Sequence, residues 1–415
     1  MPGSAITPQW VVNAILDELL NECVLISKAD RSYDPQFKVK GAKVGNTIQA
    51  RLPQRPRAAN QSALNRQPMI DRTFEIKITH EANIGIELSS YTLTLERSEI
   101  MRTCIKPAAN ALVQYAEKQG FDLVTKRIPN SIGVLGTSPT ANLTYAQGVA
   151  KLVDLMGNND NLIAILSPDQ SAVLADAQRA NANPGFGARD AFRKGQFIGP
   201  NYLGVSEWYA SPNVSVLTSG GSTSATPLVN VAGGVAEGAT SVVTDGWGSG
   251  NTTIQEGDIF TFGGAVEINS ANFSTTGRLR QFTATAATTD STGAVTINFT
   301  PPMYAAATPY QNITALPADN ATITFWAMAA GGTQAATASK NGIIFAPGAV
   351  ILASADAEKV DAPVCVFATD DEAGISLRLT KSYDINSNNN DARLDWYFGW
   401  ALARPEWSAL RVQGA

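Results

Sequence analysis

The stretch V-G-N-T-I-Q-A-R-L-P at 44–53, followed by F-E-I-K-I-T-H-E-A-N-I-G-I-E-L at 74–88, decides how this chain is read. Alternation and β-branched residues predict strands over Val44–Leu52 and Phe74–Leu95. Between them, residues 51–72 hold Arg51, Arg55, Arg57, Arg66 and Arg72, prolines at 53, 56 and 68, and one acid, Asp71. Only Leu52, Leu64, Met69 and Ile70 are strongly apolar there. A structureless loop of about twenty residues is functional or disordered, and strand signals at both ends favour function. The segment reads as a hairpin reaching away from its own domain to grip another subunit. That points to assembly rather than catalysis.

The arginines have three readings. A solvated loop is the bland one. Nucleic-acid binding lacks a stacking platform, because residues 51–72 contain no aromatic ring. Pairing with acidic groups on a neighbour is favoured, since the planar guanidinium binds carboxylates through two bonds at low entropic cost. The acid-bearing region described next offers one partner surface, and Asp17, Glu18 and Glu22 offer another.

Composition changes near residue 218. Between 218 and 338 stand nine charged residues, Glu237, Asp245, Glu256, Asp258, Glu267, Arg278, Arg280, Asp290 and Asp319, and no lysine or histidine. The stretch therefore carries all of the net charge of −5, the rest balancing at 29 bases and 29 acids. Short Thr-rich apolar runs alternate with Gly, Asn and Asp turns, predicting an inserted small barrel or sandwich.

Elsewhere the pattern is mixed. Thr7 and Pro8 predict the start of a helix with a stripe through Val12, Leu16, Leu19, Cys23 and Ile26. A second helix is expected over Ser98–Val124, with Pro107 kinking or splitting it. Ala146–Met156, the strand Asn161–Leu166 and a helix opened by the Ser167/Gln170 capping box form an α/β module. Residues 183–199 read as irregular, with Arg189, Arg193 and Lys194 against Asp190. Strands follow from Gly342, and Trp396, Trp400 and Trp407 are expected to fill a core or interface.

At 415 residues the chain suits two or three domains. Cys23, Cys104 and Cys365 are three and widely spaced, which fits a reducing compartment rather than a disulfide framework. The start shows no leader pattern, and no apolar run reaches membrane length, so a soluble protein made in a cytoplasm is expected. Catalytic signals are weak. The single histidine, His80, reads as a solvated strand position. No phosphate-cradling loop occurs. Asp384, Asn386 and Asn388 start like a calcium loop, but Asn389 and Asp395 replace the Gly and Glu that its geometry requires. No cofactor and no metal are expected, and the carboxylate pairs Asp17/Glu18 and Asp370/Asp371 read as surface.

The order of these parts resembles the major capsid (coat) proteins of tailed double-stranded DNA bacteriophages, specifically the coat family of short-tailed Salmonella-type phages with an inserted domain. V-G-N-T-I-Q-A-R-L-P at 44–53, the strand-to-helix run 74–124 and E-G-D-I-F-T-F-G-G-A-V-E-I-N at 256–269 carry the resemblance. It implies an α+β capsid fold: an N-terminal helical arm (1–43), an extended E-loop hairpin (44–98), a peripheral-domain spine helix (99–139), a first axial-domain part (140–217), an inserted β-barrel (218–338) and C-terminal strands (339–415). It further implies a non-catalytic shell of pentamers and hexamers around double-stranded DNA, built with a scaffolding protein and portal in the bacterial host cytoplasm, with no membrane. Arg51, Arg55, Arg57, Arg66, Arg72 and, in the Gly-rich loop 244–251, Asp245 are its candidate subunit-interface residues. One branch of that fold joins subunits covalently through an E-loop lysine; here no lysine stands between Lys43 and Lys77, so a non-covalent shell is expected. The competing reading is a β-rich tail, fibre or surface-layer protein, and a carboxylate enzyme is a distant third.

Overall fold

The computed structural model describes residues 13, 24–32, 47–58, 60, 64, 66–67, 72–89, 106–156, 161–181, 202–221, 227–247, 252–290, 293–326, 336–361, 364–370, 375–384 and 389–415. The expected first helix up to Cys23, the irregular segment 183–199, Cys104, and most of the loop Asp384–Asn388 lie outside them. The chain divides into two compact units, one of Met1–Ala50, Thr73–Phe121 and Val350–Ala401, the other of Arg51–Arg72, Asp122–Ala349 and Leu402–Ala415.

In the first unit a sheet runs in the order Val350–Ala355, Asn389–Leu402, Ile375–Asp384, Val364–Asp370, and His80–Ser89 also pairs with Asn389–Leu402. Within Lys106–Arg127, apolar residues at Ala109, Leu112, Val113, Ala116 and Phe121 recur at three- and four-residue spacing and are all buried. Pro107 is the second described residue of this helix, and Ser98–Ile105 on its N-terminal side, where the expected kink or split would show, lie outside the described residues. The indole of Trp400 donates to the Ala116 carbonyl at 3.1 Å, and a side chain at Gly120 would overlap that ring. Buried Glu117 accepts the amides of Val24 and Leu25 at 2.6 and 2.7 Å, satisfying the start of the turn Leu25–Lys28.

Beside a two-stranded ribbon of Thr252–Ile254 and Thr288–Asp290, the described residues of the second unit form two six-stranded sheets. In one, Ala338–Phe345 is central: it pairs antiparallel with Ala409–Gln413, Ile163–Leu166 and Val216–Thr218. Glu207–Ala210 extends this sheet parallel to Ile163–Leu166. The helices Asn142–Met156 and Pro168–Asn181 belong to the same α/β region, and Tyr145, Leu152, Leu174, Ile344 and Leu410 share its core. The capping box forms as expected: Gln170 N–H donates to Ser167 Oγ and Ser167 N–H to Gln170 Oε1, each at 3.2 Å. Gln170 is fully buried and also donates to the carbonyls of Lys340 and Val412, so one cap residue ties two strands.

The other sheet orders Ile323–Phe325, Ile259–Ile268, Thr275–Ala284, Val295–Thr300, Ser241–Asp245 and Leu228–Val229. A bridge between Leu228 and Thr322, with the Val229 amide donating to Ala321 and that of Ile323 to Pro227, closes these strands into a barrel. Val295, Ile297 and Phe299 point inward while Thr296 and Asn298 point out. Phe260, Phe262, Phe282, Phe299 and Phe325 fill the interior with ring centroids 5.1 to 6.3 Å apart.

The tightest backbone approach in the first unit is at Gly399, where a Cβ would lie 2.1 Å from the Lys77 carbonyl oxygen. Gly399→Ala must push two strands apart, so its urea midpoint is expected to fall by the equivalent of about 3 kcal/mol or more. A wild-type midpoint would contradict this packing.

Candidate functional site

The roots of the long hairpin are paired strands, Thr47–Leu52 with Arg72–Lys77. Pro53 and Pro56 hold the following backbone extended, which sends residues 55 and 57 to the same side. Both guanidinium groups then reach one ring: Arg55 lies 4.6 Å and Arg57 4.2 Å from the centroid of Phe273. Arg55 is only 8% exposed. Its Nε donates to the Ser270 carbonyl at 2.8 Å and its Nη1 to those of Pro309 and Gln311 at 3.2 and 3.3 Å. It also lies 4.0 Å from the ring centroid of Trp407. Arg57 donates to Gln311 Oε1 at 2.9 Å. Arg72 meets Glu406 at 3.5 Å and lies over Tyr310 and Trp407.

The sequence favours acids on a neighbour as partners. Within this chain the barrel region offers Arg55 and Arg57 carbonyls, an amide and rings, and Arg72 pairs with the carboxylate of Glu406. The physical reason is that a planar guanidinium stacks on rings as readily as it pairs with acids. The arm is therefore rooted on its own chain. Arg51 and Arg66 are exposed, as is Leu64 at 77%. Asp245 ends the strand Ser241–Asp245, half-buried beside Gly246; residues 248–251 of its loop lie outside the described residues.

The receiving loop is itself well braced. Asn269 Oδ1 accepts the amides of Ala271 and Asn272 at 2.7 and 3.1 Å, while Phe273 takes a left-handed φ of 58°. The Ser270 amide donates to Leu155 at 2.9 Å, the Ser270 hydroxyl to Met156 at 3.3 Å, and the Asn269 side-chain amide to Asp154. These three acceptors are end carbonyls of the helix Asn142–Met156, which have no partner within the helix.

Several charged groups are buried in this unit, Arg55, Lys151 and Asp258 among them. Burial works against the charge of Arg55, with Arg72 adding repulsion, and lowers its pKa to about 9, still cationic at neutral pH. Burial lowers Lys151 to about 8 against the pull of Glu267; its ammonium donates to Gln281. Burial raises Asp258 to about 6, although the amides of Gln255 and Gly220 and the cation of Arg411 oppose it.

One expectation elsewhere is corrected. His80 is not simply solvated: it is half-buried and stacks on Phe398 at 5.2 Å, and burial lowers its pKa. Asp395 is fully enclosed, bound by Arg378 at 2.6 Å and Arg393 at 2.6 Å, so it is committed to an ion pair inside the sheet. Among the described residues no group of three or more His, Cys, Asp or Glu is placed to hold a metal.

The site is thus structural: a hairpin root, a barrel loop and the turn Pro405–Ser408 locked by cations on rings. A family model described as "P22 coat protein - gene protein 5" matches residues 4–414. The chain belongs to that family; it is a phage coat protein, a structural subunit of an icosahedral shell, with the tailed-phage capsid fold. No curated protein matches it. Solved structures similar to it include one from Mycobacterium phage Che8 (11% identity, TM-score 0.48, 94% of this chain and 91% of that one). Another is the asymmetric unit of the bacteriophage PhiM1 mature capsid (11% identity, TM-score 0.43, 89% and 82%). The CUS-3 coat protein I-domain aligns over 25% of this chain and 96% of its own (22% identity, TM-score 0.19). With TM-scores this low, the family match alone supports the assignment.

Arg55→Met removes three hydrogen bonds and two ring contacts from a buried site. Its unfolding free energy is expected to drop by about 2–4 kcal/mol, while Arg66→Ala, at an exposed position, stays within about 0.5 kcal/mol. Equal losses would contradict the assignment of Arg55 as the anchor. For Asp258, the folded pKa lies above the unfolded one, so the fold holds the extra proton and stability falls as pH rises from about 4 to about 6. At about 1.4 kcal/mol per pH unit the total is about 3 kcal/mol. Asp258→Asn should flatten that slope and raise stability at pH 7; an unchanged slope in urea titrations would count against it.

Proposed function

We propose that this coat protein forms its shell as pentamers and hexamers around double-stranded DNA, without catalysis and without covalent links between subunits. A scaffolding protein and a portal act during assembly in the bacterial host cytoplasm, and no membrane is involved. The observation that carries this reading is the family match over residues 4–414. The arm adds a mechanism. Its roots are clamped on their own chain through Arg55, Arg57 and Arg72, and beyond the clamp Leu64 and Arg66 stand exposed. A rigid root with an exposed tip suits an E-loop that lies over an adjacent subunit, with apolar burial supplying affinity and charge setting register.

In this reading residues 1–43 are the N-terminal arm, 44–98 the E-loop and 99–139 the peripheral spine. Residues 140–217 and 339–415 supply the axial domain and the remaining peripheral strands, and 218–338 is the insert. Arg51, Arg66 and Asp245 act at subunit contacts. Arg55, Arg57 and Arg72 act there indirectly, by fixing the direction in which the arm leaves. The near-neutral balance outside the insert suits a container, because a strongly basic wall would bind the packaged DNA too tightly.

Negative-stain microscopy of the protein co-expressed with its scaffolding protein should show closed shells, and a denaturing gel of mature particles should show monomers alone. Arg55→Ala combined with Arg57→Ala should yield fragile or no shells. Fibres or sheets from the wild type, covalent multimers through the arm, or normal stable shells from the double variant would each contradict the corresponding claim.

A further inference from the structure

The barrel joins the rest of the second unit through a small polar interior. The strand Val216–Thr218 leads toward the barrel, the strand Ile259–Ile268 begins inside it, and the strand Ala409–Gln413 closes the chain beside both. A cavity of about 20 Å³ lies where they meet, and Leu217, Asp258, Trp326, Asn341, Arg411 and Gln413 are on its wall. Arg411 and Gln413 are each only 2% exposed. Standing two residues apart on one strand, they send their side chains to the same face. The cavity is where both arrive.

Each of the two has a polar atom left over. Arg411 Nη1 donates to the Thr125 carbonyl at 3.1 Å and Nη2 to that of Gly257 at 2.8 Å, but its Nε is buried without a partner. Gln413 Oε1 is buried without a partner as well. Neighbouring groups on the wall are committed elsewhere. Asn341 Nδ2 donates to the Ser339 carbonyl at 2.8 Å, and the Asp258 carboxylate accepts the amides of Gly220 and Gln255 at 3.0 and 2.9 Å. Buried donors and acceptors are almost always satisfied, so one orphan of each kind on a single small cavity calls for a ligand.

We propose that this cavity seats one water, which accepts from Arg411 Nε and donates to Gln413 Oε1. Three properties select water. The ligand must accept and donate at once, which a simple anion or cation cannot do. Charge is already balanced, because Arg411 and Asp258 attract each other across the joint. A buried water needs about 10–15 Å³ of such space, so the cavity holds one and leaves no room for a polyatomic ion. The water fixes the plane of the guanidinium. With Nε held, Nη2 stays on Gly257 beside the first residues of the barrel strand, and Nη1 on Thr125 in the last turn of the helix Lys106–Arg127.

The test is a density map of the full-length protein in which ordered waters are visible, from crystals or from assembled particles. Wild type should show one peak within about 3.2 Å of both Arg411 Nε and Gln413 Oε1. Gln413→Met, close in volume but with only a weak sulfur acceptor, should lose that peak. Arg278→Met, at an exposed position of the same unit, should keep it. A wild-type map without the peak, with density larger than one water, or with Arg411 Nε bonded directly to Gln413 Oε1 overturns the site. So does a peak that persists unchanged in Gln413→Met. Should that variant fail to fold, the wild-type map alone decides. The coat-protein reading is untouched by either result, because the peak is read within one chain.

Discussion

A single buried guanidinium joins segments that the chain keeps far apart. Arg55 touches residues 270, 309 and 311 through hydrogen bonds and 273 and 407 through their rings. Burying a charge costs several kcal/mol unless nearly every donor is used and the charge meets something negative. Here three carbonyl dipoles and two ring faces supply most of that compensation. Because both ring contacts need Phe273 in its left-handed conformation and Trp407 in its short turn, the arm root depends on the barrel loop and the turn 405–408.

That dependence runs deeper into the second unit. The loop 269–273 is held by the end carbonyls of the helix Asn142–Met156, and Asn130 and Arg280 hold the Glu406 carbonyl. The strand Ala338–Phe345 enters only after the barrel has been traversed, yet it is the strand against which three others pair. The barrel is consequently part of the scaffold that aims the arm.

Local pattern made much of this legible. The Ser167/Gln170 cap and the alternation of Val295–Thr300 follow from a spacing of three and a period of 2 residues. The arm stood out because its length and its arginines had no local explanation. What pattern could not show were partners at long separation, such as Ser270 at 215 residues from Arg55. Nothing near Phe273 or Trp407 marks them as cation acceptors. His80 looked solvated because its strand alternates, while the ring that covers it, Phe398, comes from a strand 318 positions on. Asp395 looked like a poor calcium ligand for the right reason, but its two arginines lie on the same and the neighbouring strand.

The claim that the arm is anchored by a cation between rings is tested most directly by a double-mutant cycle in urea unfolding, with Arg55→Met, Trp407→Leu and the pair. The predicted coupling is about 1–2 kcal/mol, because the two side chains are in contact and desolvated. Losses that add to within about 0.5 kcal/mol would show two independent sites, and the anchor would not exist.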